Sequence, residues 1–154
     1  MAAGFSLDYN QLEAFEGFLS ERINKQIKEG NILPTLKIDG LIAVEGASLD
    51  LVSTIEMIGP FGTGNAEPRL AFSNVRIAKA VVVGSEHVRC FISELESKKQ
   101  LSAIAFKSVD TELGRALLQH NGVPLTIVGR LRKNTWQGRH SVQLLIDDAA
   151  RTSV

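Results

Sequence analysis

The chain has 154 residues, 44% of them hydrophobic, and its seventeen Lys/Arg are balanced by seventeen Asp/Glu. That is enough apolar material for a core, and no run of about 18 apolar residues offers a membrane span. One cysteine, Cys90, excludes an internal disulfide, and MAAGFSLDYN lacks the features of a secretory signal, so a cytoplasmic protein is expected.

Asp8 followed by Gln11 reads as a helix N-terminus in which each side chain caps a backbone donor. Leu12, Phe15, Leu19, Ile23 and Ile27 then recur at steps of three and four, giving one apolar face up to Gly30. Residues 34–44 alternate loosely and read as a strand or two. Ser48 caps a second helix carrying Leu51, Ile55 and Ile58. The segment GPFGTGNAEP, residues 59–68, holds three glycines and two prolines and reads as an ordered connector. It lacks the Lys-Ser/Thr ending of a phosphate-cradling loop and follows a helix rather than a strand.

Beyond Pro68 the pattern becomes that of strands: residues 72–83, 87–92 and 101–106. A helix capped by Asp110 or Thr111 follows, with Leu113 and Leu117 inward, and ends at Asn121-Gly122. Two more strands, residues 123–132 and 141–147, complete the chain. The order β-β-β-α-β-β within about 80 residues is that of an OB-fold. The expected class is therefore α+β: a five-stranded OB-fold barrel over residues 70–150, preceded by a helical and mixed segment.

The zero net charge hides a division. Residues 1–69 carry five Lys/Arg against ten Asp/Glu, a net −5, whereas residues 70–154 carry twelve against seven, a net +5. A basic half is the one suited to a polyanionic partner. Its densest stretch is GRLRKNTWQGRH, residues 129–140, with Arg130, Arg132, Lys133, Arg139 and the sole tryptophan, Trp136. Cations that track phosphates and a flat ring that stacks on a base are what single-stranded nucleic acid requires. The hairpin between the last two strands is also a loop with which OB-folds hold oligonucleotides. Lys79, Arg89, Phe91 and Lys107 are weaker candidates for the same surface. No catalytic constellation is legible: the three histidines are scattered, and Asp147 and Asp148 are strand neighbours that point to opposite faces. No metal ligands and no catalytic residues are assigned to this chain.

Two motifs carry a resemblance. PFGTGNAEP resembles the PFGxGNPEP signature of RecJ-type single-strand-specific exonucleases, and NTWQGRHSVQL resembles the N-x-W-x-G-R…QL hairpin of the same family. MAAGF is similar to the end of their GGHxxAAG motif. The resemblance covers essentially the whole chain. It implies a C-terminal fragment: residues 1–58 from the DHH-associated domain, 59–69 as connector and 70–150 as OB-fold. It also implies a parent enzyme that degrades single-stranded DNA from its 5′ end with Mn²⁺ or Mg²⁺, its metal ligands lying in a DHH domain outside this chain. The implied partners are single-stranded DNA and that DHH domain, and a single-stranded-DNA-binding protein is a further candidate partner. Ala66 stands where the family has proline, which removes a fixed φ from the connector. The competing expectation is an OB-fold that docks a protein through an apolar patch of Phe91, Val128 and Leu145.

Overall fold

The computed structural model describes residues 4–30 and 35–152. Residues 1–36 and 37–154 form two compact units. In the first, a 3₁₀ turn at Tyr9–Gln11 leads into α1 (Leu12–Glu29). Asp8 occupies the N-cap of that turn, but no side-chain cap bond forms, so the reciprocal Asp8–Gln11 cap is not made. None of the residues of α1 is buried. Its apolar stripe stays open, with Ile23 51% exposed, while Phe5 and Phe15 meet with ring centroids 4.6 Å apart and planes tilted by 56°.

The second unit is a six-stranded mixed sheet with two helices. Its elements in chain order are β1 (Gly40–Leu41), α2 (Leu49–Met57), β2 (Leu70–Val83), β3 (His87–Glu94), β4 (Leu101–Ala105), α3 (Glu112–Leu118), β5 (Leu125–Trp136) and β6 (Arg139–Arg151). From β2 onward the order is the expected strand-strand-strand-helix-strand-strand. The sixth strand, β1, is a two-residue piece running parallel to β2. Only this part of residues 34–44 is strand, and Pro34 lies outside the described residues. The sheet runs β1-β2-β3-β4-β6-β5, and β2 also pairs with β5, which closes the strands into a ring. The length of β2 makes that closure possible, since one end pairs with β3 and the other with β5. The crossover is a register shift between Phe72 and Val75, with Asn74 at φ 55°.

Alternation along the strands sends one set of side chains into the ring. Phe72, Val88, Cys90, Ile92, Ala103, Leu117, Ile127 and Leu144 are all fully buried there. Val44, Ala47 and Val52 join the same core. The contact boundary therefore lies at 36/37, ahead of the expected division after residue 58, because α2 and the turn before it need the sheet to cover their apolar side chains. Both expected helix caps within this unit are made: Ser48 Oγ accepts from the Leu51 N–H at 3.1 Å, and Thr111 Oγ1 from the Gly114 N–H at 3.1 Å.

The connector is ordered by its own side chains. Asn65 Nδ2 donates to the carbonyls of Ile58 and Pro60, both at 3.0 Å, while Gly62 and Asn65 exchange backbone bonds of 2.9 and 3.1 Å. Its far end is held by Asp39, whose Oδ2 accepts the Arg69 N–H at 2.9 Å. With an amide spanning the loop, the missing proline at Ala66 leaves the segment well tied.

Candidate nucleic-acid interface

The β5–β6 hairpin turns in two residues, Gln137 and Gly138, both with positive φ (47° and 75°). That is the primed turn whose twist matches paired strands. Trp136 and Arg139 are consequently direct cross-strand neighbours at the tip, and Trp136 is 72% exposed. An indole displayed this openly makes no contribution to the core and is available for stacking.

Cross-strand register decides which candidates share a face. Arg130 pairs with Leu145, and Arg132 with Gln143. Leu145 and Gln143 lie beside Ile104 and Ser102 of β4, which in turn lie beside Arg89 and Phe91 of β3. The outer surface of the sheet thus carries two parallel rows. One runs Val81, Arg89, Ile104, Leu145, Arg130, and the other Lys79, Phe91, Ser102, Gln143, Arg132. Arg89 lies over the Phe91 ring at 5.2 Å from its centroid. Lys133 alternates to the opposite face, paired with Val142. Lys107 sits just past β4, exposed, in the left-handed region at φ 48°, and its N–H donates to His87 Nδ1 at 3.0 Å.

The structure separates the hairpin cations into two kinds. Arg130 donates to Asp147 Oδ1 at 2.7 Å, and Arg132 donates to Glu67 Oε2 at 2.7 Å. Arg69 Nε reaches Asp147 Oδ2 at 2.9 Å, and Arg130 lies 3.8 Å from Glu67. Three guanidiniums thus surround two carboxylates, and the Glu67 side chain is only 8% exposed. The geometry makes this a clasp that binds the connector to β5 and β6, with one cation in surplus. Lys133, Arg139, Arg89 and Lys107 make no ion pair among the described residues. The clustering of Arg130 and Arg132 that the sequence displays is therefore largely internal neutralisation. Charge without an acidic partner among the described residues lies with the other four.

Two participants escaped sequence reasoning. Phe106 is 56% exposed and meets His87 edge to face at a centroid distance of 5.0 Å, just beyond the Arg89 row. The signal was an aromatic at the end of an apolar strand, which reads as core. Glu67 was hidden in a turn-rich motif where an acid draws no notice. Of the apolar patch Phe91, Val128 and Leu145, Val128 is buried at 6% exposure and cannot join an open surface. Asp147 is committed to two arginines, and Asp148 caps its own Ala149 N–H at 2.8 Å. No group of three or more His, Cys, Asp or Glu able to hold a metal ion occurs among the described residues, and the resemblance implies Mn²⁺ or Mg²⁺ only for a DHH domain outside this chain. No described helix is long and apolar enough to cross a membrane.

Comparison with known proteins agrees with this architecture. The chain is 25% identical over 150 residues to the single-stranded-DNA-specific exonuclease RecJ of Bacillus subtilis (strain 168), covering 97% of this chain and 19% of that protein. Crystal structures of RecJ from Thermus thermophilus superpose with TM-scores of 0.58, in complex with Mn²⁺, and 0.59, in complex with Mg²⁺. Both are 18% identical and matched over 98% of this chain, which spans 21% and 22% of theirs. The likeness to these structures is one of fold. The family model of the RecJ OB domain matches residues 38–148, from just before β1 through the clasp to the β6 bulge, and the chain belongs to that family.

Proposed function

We propose that this chain is the strand-holding module of a longer RecJ-like exonuclease, and that single-stranded DNA lies across the outer face of its closed OB barrel. The observation that carries the reading is the shared register of Arg89 and Phe91 with the hairpin. It puts Arg89 and Phe91 in the same outer rows as Arg130 and Arg132, with Trp136 and the unpaired Arg139 further along the ribbon at the hairpin tip and Phe106 and the unpaired Lys107 just past the far end of β4. Rings with uncompensated cations between them suit a strand whose bases stack and whose phosphates are neutralised. Arg130 and Arg132 act mainly by fixing the platform. Arg132, 43% exposed, retains donors for a phosphate as well.

The domain reading follows. Residues 1–36 correspond to the end of a DHH-associated domain, and the OB domain begins near residue 38, where the family match starts. Hydrolysis in the 5′-to-3′ direction, with Mn²⁺ or Mg²⁺, belongs to a DHH domain elsewhere in the longer protein. This module delivers the strand to it. A single-stranded-DNA-binding protein is a further partner of the whole assembly.

Fluorescence anisotropy with labelled oligo-dT tests the reading. Four neutralised phosphates give log K against log salt a slope near −3, at about −0.7 per contact on single strands. Between 50 and 200 mM salt affinity falls on the order of fiftyfold. Duplex DNA of equal length binds more weakly, because its bases are unavailable for stacking. Equal affinity for duplex, or a flat salt response, overturns the proposal.

A further inference from the structure

We propose that the hollow beyond the C-terminal end of α3 is a second site, separate from the strand-holding face, for a nucleotide phosphate together with its base. The cavity holds about 390 Å³ and is bounded by the end of α3, the turn that follows it, the start of β5 and the end of β6. That volume exceeds what an inorganic ion needs and falls within the roughly 300–1,000 Å³ of small-molecule sites. The hairpin tip lies at the opposite end of β5, roughly 35 Å away along a twelve-residue strand.

Arg115, Arg151 and His120 line the cavity, and among the described residues no carboxylate does. In a chain with equal numbers of acids and bases, this leaves two guanidiniums uncompensated in one concavity. Arg151 makes no ion pair among the described residues. Arg115 spends one Nη1 bond on the Asp110 carbonyl at 3.1 Å, which orients the fork and leaves its other donors free. His120 Nδ1 accepts the Gly122 N–H at 3.2 Å, which leaves Nε2 as the ring nitrogen that can face a ligand. The seven-residue α3 turns its carbonyl end to the site, a weak and solvent-screened opposing dipole beside two full charges. A planar guanidinium pairs with phosphate oxygens bidentately.

The rest of the wall suits a base. Val123 and Ala149 supply apolar surface. Asn121, held at φ 46° in the turn closed by the Val123 N–H to the His120 carbonyl at 2.9 Å, offers an amide for a base edge. Phosphate donors, an apolar wall and a carboxamide together describe a nucleotide, either free or at the phosphorylated end of a strand.

The test is amide-resolved NMR of the full chain titrated with dTMP, thymidine, inorganic phosphate and 5′-phosphorylated dT5. The Val123 and Ala149 amides are expected to shift saturably. A response to dTMP identifies a free nucleotide, and a response to the phosphorylated oligomer alone identifies a strand end. Thymidine and inorganic phosphate should bind at least about tenfold more weakly, each lacking half the contacts. Arg115→Gln and Arg151→Gln should each weaken binding about tenfold, as for loss of one charge-assisted bond. Both side chains are exposed, so the variants should keep wild-type amide dispersion. Lys133→Gln with Arg139→Gln should leave this site unchanged while weakening oligo-dT binding at the hairpin. The proposal is overturned if neither nucleotide shifts these amides, if the double arginine variant binds as wild type does, or if inorganic phosphate binds as tightly as dTMP.

Discussion

At the scale of single residues, Trp136 and Glu67 are opposites. Trp136 stands open at a turn with no partner to lose, so Trp136→Ala should leave stability within about 0.5 kcal/mol. The same change should cost about 1–3 kcal/mol of oligo-dT affinity at every salt concentration, as loss of a base–aromatic stack does. Anisotropy and thermal melts on one preparation check both. Glu67 lies between two arginines with its side chain only 8% exposed, and Glu67→Gln removes the negative charge that Arg132 meets at 2.7 Å. Discounted for the partial exposure of both guanidiniums, a loss of about 1–3 kcal/mol in urea unfolding is expected. Oligo-dT affinity at low salt should rise, since a carboxylate competing with phosphate is gone. Unchanged stability would show that the clasp is not the connector's anchor. Cys90 is a third case: burial pushes its thiol up to about 12 from 9.0, because the thiolate cannot be solvated in the core. It should resist alkylation until the protein unfolds. A raised folded value also means that its contribution to stability is complete below pH 9 and lost as pH rises towards 12. Urea midpoints of wild type and Cys90→Ala should therefore converge over that window.

Among the elements, the long β5–β6 ribbon sets the geometry of the interface. A register shift between Val128 and Gly129 places an extra residue on β6, and Asp147 is thereby turned towards Arg69 and Arg130. Glycine is required at 129 for a steric reason: a Cβ there would collide with the Leu145 carbonyl. Gly129→Ala must displace backbone in the sheet and should cost more than about 2 kcal/mol, read as a fall in the urea midpoint. Gly62→Ala, where a Cβ meets nothing within 4 Å, serves as the control and should be close to neutral. Bulge and clasp are then one device, in which the strand bends so that its carboxylate can neutralise two arginines. The β3–β4 connection is fastened in a related way, by Lys99 Nζ donating to the carbonyls of Glu45 and Ala47 at 2.8 and 3.1 Å.

For the molecule as a whole, the core cluster runs from Val44 to Ile146 and lies entirely within residues 37–154. A chain of those residues alone should unfold cooperatively and bind oligo-dT with unchanged salt slope. A broad, non-cooperative melt, or lost affinity, would show that the first unit contributes to either. With no cluster of metal-ligating side chains among the described residues, the chain by itself should release no nucleotide from a labelled strand in Mn²⁺ or Mg²⁺. Release by rigorously purified protein would contradict that expectation.

Local physics is what made most of the second unit legible. Strand alternation and the Ser48 and Thr111 caps depend on neighbours a few residues away, and the order β-β-β-α-β-β follows from them; α3 itself ends at Leu118, three residues before the expected Asn121-Gly122 stop, which forms the turn that follows. The family motifs were legible for a similar reason, since a tight connector and a two-residue turn demand particular residues in sequence. Other features depend on pairings between distant segments. Glu67 meets Arg132 across 65 residues and Arg69 meets Asp147 across 78, so a row of basic residues read as a binding surface became in part a clasp. Arg89 and Phe91 of β3 share rows with Arg130 and Arg132 of β5 only through the register of the two strands between them. A sequence states charge and periodicity, but which opposite charge comes within 3 Å is decided by how the sheet closes.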